Sequence, residues 1–151
     1  DVSCIPMRLR HLIFLGWLVA LLGCACPGDT RFVTEQAYHK NVATQVRLTP
    51  ATMEQLRKYG VTEASELKLE YFFYTMDDAN AAALEQELLQ LGYSVGRAPS
   101  AGGDGLFVIT GWTTRMVMSD DLVIAWVRQM CQLGFEHDAE FDGWGTNPKQ
   151  D

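Results

Sequence analysis

Leu67-Lys-Leu-Glu-Tyr-Phe-Phe-Tyr-Thr75 is rich in aromatic and β-favouring residues, is too short for a helix, and runs straight into Met76-Asp-Asp78, where a helical pattern begins. It reads as a central strand feeding a helix. Ala81, Leu84, Leu88 and Leu91 share one face of that helix, Thr75 or Asp77 supplies its N-cap, and Gly92 stops it. Acidic Asp77 and Asp78 suit the positive end of the helix dipole. Tyr93–Ser100 then alternates weakly, Ala101-Gly-Gly-Asp-Gly105 is turn chemistry, and Leu106-Phe-Val-Ile-Thr-Gly-Trp-Thr113 completes a hairpin. Ser119, Asp120 and Asp121 open a second helix. Leu122, Trp126, Met130 and Leu133 line its face, Val123 and Val127 widen the stripe, and Gly134 is expected to end it.

The two halves echo one another. Asp77-Asp78 opens a helix that closes in Gln90-Leu-Gly-Tyr93, and Asp120-Asp121 opens one that closes in Gln132-Leu-Gly-Phe135. An apolar strand before each helix and an extended segment after it make a doubled βαβ unit, hence β-α-β-β-α-β. Right-handed crossovers then predict an α+β, ferredoxin-like sandwich: a four-stranded antiparallel sheet with two helices on one face.

Upstream, Thr49-Pro50 supplies an N-cap and a first-turn proline, and Met53, Leu56 and Tyr59 fall at helical spacing before Gly60. This predicts a short extra helix ahead of the fold. Residues 24–48 hold Pro27, Gly28 and scattered Thr and Gln without a sustained apolar period, which reads as a tether. Residues 1–23 carry an address. From Met7, Arg8, Arg10 and His11 precede the uncharged run Leu12–Leu22 and Gly23-Cys24, with residues 1–6 lying upstream of that start. The apolar run is far shorter than a bilayer-spanning helix needs. Leu21-Leu-Gly-Cys24 resembles a bacterial lipobox, implying signal cleavage and a lipid on Cys24; Ala25 after it resembles the signal for the outer membrane. The expected place is the cell envelope, lipid-anchored and facing the periplasm. The domain is then 49–147, with 148–151 as a tail.

A chain of 151 residues with 48% hydrophobic content predicts one core. Net charge is −7, and because residues 1–23 contain Arg8, Arg10 and Asp1, the remainder carries −8. No basic patch is available to release counterions from a phosphate backbone, so nucleic acid is not expected and a protein partner is.

Glu140-Phe-Asp-Gly-Trp-Gly-Thr146 is the most distinctive string. Together with Leu69-Glu-Tyr-Phe-Phe-Tyr74, the Leu91-Gly92-Tyr93 junction and the helix near Asp120, it resembles the regulator of ribonuclease E activity B (RraB) family over roughly residues 50–147. The resemblance implies a ferredoxin-like domain that inhibits ribonuclease E by protein binding, without catalysis. A processed lipoprotein domain faces away from the cytoplasm, where ribonuclease E works. The expectation is therefore a non-catalytic, protein-binding regulatory module, lipid-anchored, with another partner. The alternatives are a cytoplasmic inhibitor of ribonuclease E and a small envelope enzyme.

Asp142, Gly143, Trp144 and Gly145 are the candidate protein-binding residues, with Trp144 as an aromatic anchor; the competing role is a tight turn whose Trp closes the core. Glu136, Asp138, Glu140 and Asp142 would share one strand face, where a solvated edge explains them better than a metal does. His39 and His137 have no partner at zinc spacing, so no metal is assigned. Cys131 reads as core filler rather than nucleophile, Gly102–Gly105 lacks the Lys-Ser/Thr of a phosphate loop, and the paired aspartates read as helix caps. No catalytic residue and no cofactor are expected.

Overall fold

The computed structural model describes residues 30–102 and 105–150, so the expected signal peptide, Cys24 and the first part of the expected tether lie outside the described residues. Helix α1 (Glu35–Lys58) leads into a short strand β1 (Glu66–Leu67) and then β2 (Glu70–Thr75). Helix α2 (Asp78–Gln90), strands β3 (Ser94–Pro99) and β4 (Phe107–Trp112), a short β5 (Met116–Val117), helix α3 (Asp120–Glu136) and β6 (Glu140–Gly145) complete the chain. The four-stranded sheet has the order β3-β4-β2-β6 with every neighbour antiparallel, which is the ferredoxin-like arrangement of a doubled βαβ unit. Beyond it β1 pairs with β5 as a two-stranded ribbon. The single strand expected from Leu67 to Thr75 is thus broken, because Thr113 Oγ1 takes the Leu69 amide and interrupts the ladder.

Alternation along β2 decides which side is core. Tyr71, Phe73 and Thr75 are buried under α2 and α3, with Ile109 and Phe141 beside Phe73 in the same layer. Asp77 caps α2 by accepting from the amides of Ala79 and Asn80 at 2.8 and 3.0 Å. Ala81, Leu84 and Leu88 face inward, whereas Leu91 is exposed. In α3 the buried stripe is Val123, Trp126, Val127, Met130 and Leu133; Leu122 points outward, rotating the face by one residue from the expected one.

Two glycines that look alike in sequence do different work. Gly92 adopts φ +79 and closes α2. Gly134 does not end α3, which runs on to Glu136. A Cβ at Gly134 would stand 2.5 Å from the Ala139 carbonyl oxygen and 3.0 Å from the Phe73 ring, so this glycine lets the returning chain press against the helix. The reversal comes later, at Asp138 with φ 51.

The largest departure is α1. It starts at Glu35 rather than Thr49, so residues 35–48 are helix and not tether, and Pro50 sits inside it. Tyr38, Val42, Val46, Thr49, Met53 and Leu56 form its inward stripe, while Tyr59 is exposed. Polar Gln45, Thr44 and Thr49 had masked that period. The helix lies against α3 and along the outer edge of β6. Asn41 Nδ2 donates to the Phe141 carbonyl at 2.8 Å and Gln45 Nε2 to the Asp142 carbonyl at 2.9 Å, so side-chain amides occupy an edge that another strand could pair with. At its far end Arg57 donates to the Met118 carbonyl and pairs with Asp120 at 2.9 Å. The expected tail is also tied down: Gln150 bonds both the amide and the carbonyl of Lys68.

Candidate functional site

The Asp142–Gly145 motif lies on β6, and the structure separates its members. β6 bulges at Asp142, across from the Phe72–Phe73 step of β2, so that Phe73 faces Phe141, Phe72 faces Gly143 and Tyr71 faces Trp144. Gly143 takes φ +144, a backbone state that disfavours a side chain. The bulge turns Trp144 to the helix side. Its ring stands edge-on to Trp126 at 6.3 Å, and its Nε1 donates to Thr49 Oγ1 at 3.3 Å. Trp144 therefore packs between α1 and α3. Asp142 stays exposed, and Gly145 is half-buried at the end of the strand.

The carboxylates expected to share a strand face with Asp142 are scattered, because α3 extends past Gly134. Glu136 is still helical and accepts from Gln132. Asp138 accepts from the amides of Phe32 and Val33 at 3.1 and 2.8 Å, clamping the start of the described chain, and His137 bonds Glu87 across to α2. Glu140 and Asp142 alone remain together. Among the described residues no three His, Cys, Asp or Glu side chains are grouped to hold a metal. Cys131 is buried in α3, and burial pushes its thiol up to about 12, the opposite of nucleophile activation.

An exposed sheet face is expected from the sequence, but the residues on it are identified only by the structure. Alternation puts Glu70, Phe72 and Tyr74 of β2, with Val108, Thr110 and Trp112 of β4, on the side away from the helices, and all six are half-buried. Ser94, Gly96 and Ala98 of β3 extend that face as a shelf of small, exposed residues. The signal for it was present in Phe72 and Tyr74, apolar residues at the alternate positions of a strand whose helices could cover only one side. Thr110 Oγ1 lies at the centre of this face, buried and without a hydrogen-bond partner in the described structure.

At the β6 rim, α1 rises beside the sheet and forms a groove. One hollow of about 300 Å³ is lined by Gln45, Leu48, Phe72, Asp142, Gly143 and Trp144 among others, and a neighbouring one of about 470 Å³ by Lys40, Leu48, Glu140 and Asp142 among others. Leu48 is 45% exposed at the junction of the two. The groove thus combines apolar rings, an exposed leucine and two carboxylates.

The architecture is thus that of a ferredoxin-like module with one sheet face covered by helices and the other open among the described residues. Residues 48–146, well over half of the chain, match the family model described as regulator of ribonuclease activity B. The chain belongs to that family. Comparison with curated proteins returns no match.

Proposed function

We propose that this chain is a non-catalytic regulatory module that works by binding a protein through the open face of its sheet, held in the bacterial envelope by a lipid on Cys24. The observation that supports it most is the row of half-buried Phe72, Tyr74 and Trp112 on central strands, with no described helix layered over it. Aromatic residues of this kind dominate binding energy when a partner desolvates them. Asp142 and Gly143 belong to the same surface at its rim, while Trp144 supports it from within.

The test replaces Tyr74 with a photo-crosslinking benzoylphenylalanine in living cells, and Glu63 likewise as a control on an exposed turn. A discrete protein adduct from position 74, absent from position 63, is the expected result; equal or absent crosslinking at both sinks the reading. Fractionation of the Cys24→Ala variant is the second arm. Wild type should sediment with membranes and carry a lipid mass, and the variant should do neither.

Family membership supports a second reading, a cytoplasmic inhibitor of ribonuclease E. It becomes the leading one if the protein stays soluble and unprocessed and the position 74 adduct is ribonuclease E.

A further inference from the structure

We infer that the segment docking at the α1–β6 rim is cationic: an extended stretch of a partner protein that lays arginine side chains across Phe72 and Tyr74 and into Asp142 and Glu140. The inference rests on the protein-binding reading and specifies its partner. On β2, each half-buried ring lies beside a β6 carboxylate: Tyr74 pairs with Glu140, and Phe72 pairs with Gly143, next to the bulged Asp142. Both carboxylates are exposed, and neither is engaged in an ion pair among the described residues. Lys40 lines one hollow with them but forms an ion pair with neither.

A ring face beside a carboxylate is a paired demand that one common side chain meets in full. The guanidinium of arginine stacks its plane on an aromatic ring while its edge donates two parallel hydrogen bonds to a carboxylate. Lysine offers a point charge without the plane. Gly143 leaves the floor of the groove without a side chain, and Leu48 gives an apolar residue next to the arginine somewhere to rest. The chain's net charge of −7 steers such a segment toward the surface. The rings alone would also suit stacked bases of single-stranded RNA, but the flanking carboxylates repel its phosphates.

The experiment titrates full-length protein in detergent against a fluorescein-labelled, end-capped octapeptide alternating arginine and leucine, read by fluorescence anisotropy. Lysine and glutamate counterparts and a uridine decamer run alongside. Arginine should bind at least about tenfold more tightly than glutamate and severalfold more tightly than lysine. The double variant Glu140→Lys with Asp142→Lys should lose about tenfold or more with an unchanged melting temperature, since both positions are exposed. Equal binding of the arginine and glutamate peptides, indifference to the double variant, or tighter binding of the uridine decamer each overturns the inference. If the position 74 crosslink still captures a protein in that event, only the arginine assignment falls. If the crosslink is lost as well, the protein-binding reading falls with it.

Discussion

Replacing Gly134 by Ala should destabilise the fold, although an alanine inside a helix ordinarily stabilises it. The substitution gains about 1 kcal/mol of helix propensity. Against that, the new methyl would meet the Ala139 carbonyl oxygen at 2.5 Å and Phe73 ring atoms at 3.0 and 3.2 Å. Neither neighbour can yield easily. The Ala139 amide is bonded to the Gly134 carbonyl at 2.8 Å, which holds the reversal tight, and Phe73 is fully buried in the central layer. Overpacking a rigid core costs about 1–3 kcal/mol, and contact with backbone rather than a movable side chain puts this site at the upper end. The net expectation is a loss of about 2 kcal/mol, read as a lower urea midpoint by circular dichroism. Gly92 is the control. There φ is +79 and a Cβ would touch only a Thr114 methyl at 3.7 Å, so Ala should cost about 1 kcal/mol through backbone strain and Asn less than Ala. At Gly134 the order reverses, with the bulkier Asn worse than Ala. A stabilised Gly134→Ala, or an Asn at 134 milder than the Ala, would refute the close-contact account and return Gly134 to the role of a helix stop.

Pro50→Ala should stabilise the chain by about 1–2 kcal/mol, because an exposed interior proline denies the Val46 carbonyl its amide donor and the gain exceeds the unfolded-state entropy returned; no gain in a urea melt would place a helix start at Thr49 after all. Asn41→Ala and Gln45→Ala should each cost about 0.5–1.5 kcal/mol and hasten amide hydrogen exchange along β6, since each removes a bond to an edge carbonyl; unchanged exchange would mean that α1 is held by its apolar stripe alone. Alkali should weaken the fold through Cys131. Its folded value of about 12 stands above the ordinary 9.0, so its contribution is fully present below about pH 9 and is lost as pH rises toward the folded value. By about pH 10.5 that is roughly 2 kcal/mol, and Cys131→Ala should flatten the decline. Buried Tyr71 is shifted upward as well and keeps some of the slope, so a Cys131→Ala curve parallel to wild type is the result that counts against this account.

Much of the fold could be read from residue order. The paired aspartates, the periodic leucines and the hairpin turn are local signals, and of the two candidate caps, Thr75 and Asp77, the structure selects Asp77. The RraB resemblance, carried by Asp142-Gly-Trp-Gly145, agrees with the family match over residues 48–146. The candidate site was legible only in part. Asp142 and Gly143 stand out in the sequence, whereas Phe72, Tyr74 and Trp112 do not, because strand residues on either face look alike until the helices have taken one side, and Leu48 does not because α1 itself is hidden there.

Local chemistry by itself determined the alternation of strands and helices from β2 onward, and the Asp77 cap and Gly92 stop of α2, since these depend on neighbours a few residues apart. Tertiary structure decided what those residues do. The Leu-Gly-aromatic strings at Gly92 and Gly134 differ only in what packs against them, one a free left-handed turn and the other a contact with Phe73 from a strand some sixty residues away. Helix α1 likewise declares itself only beside α3 and β6, where Tyr38, Val42 and Val46 find apolar partners and Asn41 and Gln45 find edge carbonyls. Burial and edge pairing are properties of the assembled sheet, and no window of sequence contains them.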